Sequence, residues 1–114
     1  KKAVFVDLAD GNSTPDGGSL DDAGNLWNAH WAGGLVACYS KAGELIKSIA
    51  LPVPNPTSCC FGGPDMKHLF ITSASEGLTE VDSQMFPSSG SVFCVELDFT
   101  GSKIYPFNYI ESIC

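Results

Sequence analysis

The residue of this sequence best suited to chemistry is Asp16, which lies in the stretch TPDGG at residues 14–18. Pro15 fixes its own φ and biases the residue before it toward extended geometry, while Gly17 and Gly18 bend without steric penalty. The carboxylate of Asp16 is therefore expected to be held in one direction at the start of a strand. Such a carboxylate is a candidate ligand for a hard divalent cation. The alternative is that Pro-Asp-Gly is an ordinary turn signal, and the tripeptide alone does not separate the two interpretations.

Composition and charge exclude several classes of partner. The chain has 114 residues, of which 44% are hydrophobic and 17% charged, enough for one globular domain with a sizeable core. Six basic and thirteen acidic residues give a formal net charge of −7, which opposes binding to nucleic acid or to anionic membrane surfaces. No apolar run is long enough to span a bilayer and no signal-peptide pattern is present, so the sequence predicts neither a membrane span nor a leader within these residues.

The cysteine pattern predicts a reducing compartment. The five cysteines form no Cys-x-x-Cys pair, and only two histidines accompany them, so neither a zinc finger nor a thioredoxin-like motif fits. Four of the five lie among apolar or small neighbours, as unoxidised buried thiols do, and this favours a cytoplasmic location. The adjacent Cys59 and Cys60 are expected to point to opposite faces of one strand.

Short strand-like runs separated by turn signals fill the chain, and no useful helical periodicity is found between residues 26 and 56. Residues 51–56 carry three prolines and predict an extended connection rather than a central strand. Residues 76–87 form a polar insertion, predicted to be a solvated loop, with a lid over a substrate as the alternative. A short small-residue strand is predicted directly after Asp16, and the other predicted strands are 3–6, 26–30, 34–39, 44–49, 57–61, 68–72, 91–95 and 103–107.

The second half of the chain repeats the first. Asp65 aligns with Asp22 and Leu69 with Leu26, and the two aligned pairs are separated by the same number of residues. Later in the chain the separation between aligned residues is larger, because of the insertion at 76–87. Four short strands per unit, with a period in the low forties, are typical of β-propeller blades. The prediction is an all-β protein with blade-like repeats at about 15–50 and 57–109, preceded by one strand of an earlier blade. A small β-sandwich is the competing architecture.

Several motifs, in order, resemble the C-terminal part of the senescence-marker-protein, gluconolactonase and luciferin-regenerating-enzyme family. The resemblance spans residues 3–109 and rests on six segments: PDG at 15–17, DAGNLW at 22–27, GG at 33–34, LPV at 51–53 leading into TSCCFGG at 57–63, LFITSA at 69–74 and GSVF at 90–93. It implies a six-bladed β-propeller. Residues 1–114 would then be a C-terminal fragment of a single propeller domain, covering about two blades plus one strand.

The resemblance also implies a metal-dependent activity. It implies one divalent metal ion, calcium, zinc, manganese or magnesium, and hydrolysis of a small-molecule sugar lactone to an aldonic acid. Asp16 occupies the position of a metal ligand that is also the proposed general base, so it is the candidate catalytic and metal-binding residue. The other ligands of the family, a glutamate and an asparagine, would precede residue 1, and the fragment alone is expected to be inactive. A non-enzymatic calcium-binding or protein-binding propeller is the alternative, and the oligomeric state stays open.

Two residues depart from the family pattern, and other candidates for chemistry are weaker. Gly18 and Asn28 stand where the family usually has apolar residues; the first is expected to loosen the strand that carries Asp16, and the second to place a polar group on a packed strand. His30 and His68 are predicted to be hydrogen-bonded structural residues. Ser58 has no base nearby in the sequence, so it is not predicted to be a nucleophile.

Overall fold

Seven strands and one short helix form in the part of the chain that the computed structural model describes, residues 1–108. The first four strands make one antiparallel sheet in the order β1-β2-β3-β4, and the last three make a second antiparallel sheet in the order β5-β6-β7. The prediction of an all-β chain is confirmed apart from the helix. The elements are β1 (Thr14–Leu20), β2 (Leu26–Trp31), β3 (Leu35–Tyr39), β4 (Leu45–Ala50), β5 (Pro56–Gly62), β6 (His68–Ser73), α1 (Glu80–Met85) and β7 (Val92–Glu96).

The hydrophobic core lies between the two sheets and is centred on Trp27, which is fully buried. Its ring meets Phe61 and Phe99 edge-to-face, with centroid distances of 5.7 and 4.9 Å. The thiol of Cys59 donates a hydrogen bond to the carbonyl O of Trp27, at 3.3 Å. Trp27 therefore ties the two sheets together through both its ring and its backbone.

The vicinal cysteines point in opposite directions, as the strand period requires. Cys59 is buried in the core and Cys60 is exposed, which confirms the prediction for this pair. Burial raises the pKa of the Cys59 thiol to about 12, and the neighbouring Cys60 adds to the effect. Cys59 is thus a protonated packing residue at neutral pH.

A buried carboxylate fixes the turn between β1 and β2. Asp21 is 1% exposed and accepts four hydrogen bonds, from the backbone N–H of Ala23 and Asn25, the side-chain amide of Asn25 and the indole N–H of Trp27. Burial opposes the charged form, but the hydrogen bonds from Trp27, Asn25 and Ala23 outweigh it and hold the pKa of Asp21 below its usual value.

The predicted turn at Pro-Asp-Gly is wrong: residues 15–17 lie inside β1. Pro15 is tolerated in β1 because β1 is an edge strand of its sheet. The pairing of β1 with β2 shifts register between Pro15 and Gly18, which forms a β-bulge. Gly17 and Gly18 therefore belong to a β-bulge within β1 and not to a turn that precedes it.

Two predicted strands are also absent. Residues 3–6 and 103–107 have no strand structure. After β7 the chain crosses to the first sheet, where Asp22 N donates to Thr100 O at 2.8 Å and Ser102 N donates to Leu20 O at 3.2 Å. Residues 103–107 are therefore led away from β7 and have no strand beside them to pair with. The last residue of the predicted repeat, Tyr109, lies outside the described residues.

The insertion predicted as a loop contains α1. Thr79 is its N-cap, accepting a hydrogen bond from Asp82 N at 3.1 Å, and Glu80 and Asp82 place negative charge in the first turn. The helix ends at Met85, with Phe86 as its C-cap before Pro87. None of its residues is buried, so α1 is a solvated element on the surface. Among residues 1–108 no helix is both long enough and apolar enough to cross a membrane.

Replacing Asp21 by alanine is expected to lower the free energy of unfolding by about 3 kcal/mol, because the indole N–H of Trp27 would be left buried without an acceptor. The matched control is Asp22→Ala, which removes an exposed carboxylate with no side-chain hydrogen bond in the described residues and should change stability by less than about 0.5 kcal/mol. Urea unfolding measures both. Equal effects of the two substitutions would contradict the role given to Asp21.

The lowered pKa of Asp21 also sets a pH dependence. The contribution of Asp21 to stability is complete above the usual aspartate pKa and is lost as the pH falls through the lowered value in the folded state. Asp21→Ala should therefore flatten the acid limb of a plot of unfolding free energy against pH, and an acid limb as steep as that of the wild type would contradict this.

Candidate metal-ligand site

Asp16 lies at a β-bulge in β1. Pro15 pairs with His30 and Gly18 pairs with Asn28, so three steps along β1 match two steps along β2. The extra residue interrupts the hydrogen-bond ladder at Asp16 and Gly17. The side chain of Asp16 is exposed, and no hydrogen bond or ion pair from within residues 1–108 engages its carboxylate. The carboxylate that the sequence singles out is thus free to bind a ligand.

Asn28 satisfies the backbone that the bulge leaves unpaired. Its side-chain amide donates to the carbonyl O of Asp16 at 2.7 Å and lies 3.3 Å from the carbonyl O of Gly17. Asn28 is 9% exposed, and both contacts are partly buried. The expectation of a polar group on a packed strand is confirmed, and the bulge supplies two acceptors for the Asn28 amide.

Gly17 and Gly18 bring β1 close to its neighbours. A Cβ at position 17 would stand 2.6 Å from Ser58 Cβ and 2.9 Å from Thr57 O, on the first strand of the other sheet. A Cβ at position 18 would stand 2.6 Å from Trp27 O. Gly18 therefore permits a tight approach of β1 to β2, which is the opposite of the loosening expected from the sequence.

The connections at one end of both sheets lie beside the starts of β1 and β5, and this end is called the Asp16 end below. The turn at residues 32–34 follows His30 and Trp31, which pair with the first two residues of β1. The connection that contains α1 follows β6, and Ser73 at the end of β6 pairs with the first residue of β5. Asn55 joins the two connections: its side-chain oxygen accepts from Ala32 N at 3.1 Å and its carbonyl accepts from Ala74 N at 2.9 Å. The Asp16 end is therefore braced between the sheets.

Ser58 and the two histidines are not brought together as a catalytic group. His30 is 5% exposed and forms hydrogen bonds with Ser13 Oγ, at 3.5 Å, and with Tyr39 Oη, at 3.1 Å. Burial lowers the pKa of His30. His68 instead approaches Asp65, with a nitrogen-to-oxygen distance of 3.8 Å. His30 is thus a hydrogen-bonded structural residue, and Ser58 lies beside Gly17 with neither histidine as a hydrogen-bonding partner.

Residues 1–75 match the protein family described as the SMP-30/Gluconolactonase/LRE-like region. The chain belongs to this family. The resemblance seen in the sequence is therefore confirmed, and the matched residues include β1 with its bulge, both glycines and Asn28.

Relatives of the SMP-30/gluconolactonase/LRE-like family extend well beyond this chain. Regucalcin of Gallus gallus is 39% identical over 97 residues, which are 83% of this chain and 32% of that protein. A 6-deoxy-6-sulfogluconolactonase of Pseudomonas putida is 38% identical over 87 residues, which are 76% of this chain and 30% of that enzyme. The crystal structure of a calcium-binding protein, regucalcin, from Agrobacterium tumefaciens matches with a TM-score of 0.84 at 32% identity, over 90% of this chain and 35% of that one. The chain spans about a third of the length of these relatives.

The exposed carboxylate of Asp16 has the donor chemistry that suits the divalent ion implied by the family. A free carboxylate oxygen is the donor that hard cations prefer. The carbonyl oxygens of Asp16 and Gly17 face the Asn28 amide, at 2.7 and 3.3 Å. No group of three His, Cys, Asp or Glu residues within 1–108 is placed to hold a metal ion. Within residues 1–108, Asp16 is therefore not part of a group of side chains that could enclose an ion.

Replacing Gly17 by alanine is expected to lower the free energy of unfolding by about 1–3 kcal/mol, because the new Cβ would overlap the side chain of Ser58 and push the two sheets apart. Gly11→Ala is the control: its nearest atom, Leu8 O, would be 3.5 Å away, an ordinary contact. Chemical denaturation of both variants checks this. A Gly17→Ala protein as stable as the Gly11→Ala protein would contradict the close approach of β1 to β5.

Acidification is expected to destabilise the protein through His30. Because burial lowers its pKa in the folded state, the unfolded chain takes up the proton first, and stability falls as the pH drops below the usual histidine value of about 6.5. His30→Gln should reduce this slope. Thermal melts at a series of pH values measure the difference. A slope that survives in His30→Gln would contradict the assignment.

Proposed function

We propose that this chain is part of a six-bladed β-propeller, in which Asp16 is a ligand of one divalent metal ion and the general base for hydrolysis of a sugar lactone to an aldonic acid. The observation that carries the proposal is the Asp16 carboxylate itself. It is exposed and without a protein partner in the described residues, yet it stands on a bulge held by Asn28 and by close packing. A side chain so placed is suited to an external ligand. The ion is calcium, zinc, manganese or magnesium.

The arrangement of the sheets supports the propeller. The first strand of the second sheet, β5, lies against the first two strands of the first sheet, β1 and β2. Neighbouring blades of a propeller meet in this way around the axis of the ring. The similarity to the regucalcin structure, which is about three times as long as the matched part, supports this architecture over a small β-sandwich. We propose that residues 15–50 and 57–109 are blade-like repeats of one domain to which residues 1–114 belong.

The chemistry required of Asp16 is a proton transfer. A divalent ion beside it would supply Lewis-acid polarisation of the lactone carbonyl. The carboxylate of Asp16 orients the attacking water and takes its proton as the new C–O bond forms at the carbonyl carbon. When the ring C–O bond breaks, Asp16 returns that proton to the ring oxygen, which leaves as a hydroxyl. The product is an open-chain hydroxy acid.

The names of the relatives support this substrate class, since they include a sulfogluconolactonase. The thiols of Cys38, Cys59, Cys60 and Cys94 are free, which favours the proposed cytoplasmic location. Residues 1–114 alone supply one metal ligand in their described part, so we propose that this segment by itself is inactive and that the activity belongs to a longer protein.

Asp16→Ala in the full-length protein is expected to reduce metal-dependent lactone hydrolysis by roughly 10²- to 10⁴-fold, because both a ligand and the base are lost. The assay follows acid release from a panel of aldonolactones, with calcium, zinc, manganese and magnesium tested separately. Asp10→Ala, which removes another exposed carboxylate, is the control and should leave the rate unchanged.

Two outcomes would contradict this function. Metal-dependent hydrolysis that persists in Asp16→Ala would remove Asp16 from the active site. Absence of hydrolysis on every lactone, with metal still bound through Asp16, would favour a non-enzymatic calcium-binding propeller. The description of the matched crystal structure as a calcium-binding protein supports this second candidate.

A further inference from the structure

Trp31 lies close to Asp16, on the neighbouring strand. It pairs with Thr14 of β1, and Asp16 follows Thr14 by two residues. Residues in this diagonal relation across an antiparallel pair are about 7–8 Å apart, which is within the reach of an aromatic side chain. Trp31 is also the last residue of β2, directly before the turn at residues 32–34, so it lies at the Asp16 end. The strand register therefore places a large aromatic ring near the candidate metal ligand.

The indole of Trp31 has no structural partner in the part of the chain that the structure describes. Trp27 and Trp31 are four residues apart on β2, so both face the second sheet. Trp27 is fully buried, and its indole N–H binds Asp21. Trp31 is half-buried, and within residues 1–108 it belongs neither to the core cluster nor to the apolar residues packed against that cluster. No side-chain hydrogen bond and no aromatic contact from these residues engages it, so its ring is available to a ligand.

The turn that follows Trp31 is held firmly. Ala32 has a φ of 63°, in the left-handed region that residues other than glycine seldom adopt. Its N–H donates to Asn55 Oδ1 at 3.1 Å, and Gly34 N donates to Pro54 O at 3.0 Å. Strained backbone of this kind persists only where its surroundings fix it, and it is concentrated at binding sites. The connection between the two sheets thus fixes the backbone next to Trp31.

The ring of a sugar lactone has the properties that an exposed indole binds. Its faces carry C–H bonds whose hydrogens are slightly positive, and the face of an aromatic ring is negative, so the two attract each other. The contact also removes apolar surface from water. The indole N–H is a hydrogen-bond donor for a hydroxyl group of the sugar. A ring held in this way keeps its carbonyl carbon in place for attack, which lowers the entropic part of the barrier.

We propose that Trp31 is a substrate-binding residue, whose indole face stacks on the C–H face of the lactone ring while the lactone carbonyl lies toward Asp16. This inference rests on the proposed function and adds to it the contact that recognises a sugar ring. Trp31 takes no part in the proton transfer. A contact made equally with the substrate and with the transition state acts on KM and leaves kcat unchanged.

The first test compares kinetic constants of the full-length protein on D-glucono-1,5-lactone, for the wild type and for Trp31→Ala, Trp31→Leu and Trp31→Phe. Leucine keeps apolar bulk without an aromatic face, and it serves where the alanine variant does not fold. We expect KM to rise roughly 5- to 20-fold in the alanine and leucine variants, with kcat within about twofold of wild type. Phenylalanine keeps the aromatic face, so KM should stay within about threefold of wild type.

Tyr105→Ala is the matched control for the loss of an exposed aromatic ring. Tyr105 is 81% exposed, and it follows Ser102, whose N–H binds Leu20 O at the far end of β1 from Thr14. Its removal should leave KM within about twofold of wild type. An effect on KM confined to position 31 distinguishes a contact with the substrate from a general effect of removing aromatic surface.

A second test measures binding without turnover. D-glucono-1,5-lactam, in which N–H replaces the ring oxygen, is titrated into the wild type and into Trp31→Phe while tryptophan fluorescence is recorded. Trp27 is fully buried in both proteins, so the difference between the two titrations reports Trp31. We expect a saturable change in emission in the wild type that is absent from Trp31→Phe.

The outcomes separate this inference from the proposed function. In an active wild type, an unchanged KM in Trp31→Ala, a wild-type KM in Trp31→Leu, or a fluorescence response that persists in Trp31→Phe would overturn the stacking role and leave the lactonase intact. A wild type that neither hydrolyses the lactone with any of the four metals nor binds the lactam would overturn the proposed function and the stacking role together.

Discussion

The hydrogen bond between the indole N–H of Trp27 and the carboxylate of Asp21 is the interaction on which the rest of the structure depends. It is 3.0 Å long and buried, and it joins the centre of the core to the turn between β1 and β2. The Trp27 ring also packs edge-to-face on Phe61 and Phe99, which orients the second sheet on the first. One side chain thus sets the β1–β2 turn, the pairing of these strands and the distance between the sheets.

Two adjacent residues of β2, Trp27 and Asn28, contribute to the hydrophobic core and to the bulge that bears Asp16. Trp27 faces the second sheet, and Asn28, the next residue, sends its amide to the bulge of β1. Because side chains alternate along a strand, anchoring Trp27 in the core fixes the direction of Asn28. The position of Asp16 is therefore coupled to the packing of the whole domain, although its own side chain is exposed. The close contacts of Gly17 and Gly18 limit how far β1 can move.

Local patterns predicted much of this fold. Apolar runs between turn signals located β2 to β7 to within a few residues, and the family resemblance pointed to Asp16. The bulge was not predictable locally, because Pro15, Gly17 and Gly18 have the composition of a turn and become a strand only by pairing with β2. The role of Asn28 was missed for the same reason: its acceptors are 11 and 12 residues away in the sequence.

The central claim is that Asp16, exposed on the bulge of β1, binds a divalent metal ion. A crystal structure of the full-length protein grown with manganese tests it most directly, through the anomalous signal of the ion. The account predicts an anomalous peak about 2.0–2.6 Å from a carboxylate oxygen of Asp16, with the Asn28 amide still bonded to the carbonyl O of Asp16. A peak bound elsewhere with Asp16 free, or a regular β1 without the bulge, would contradict it.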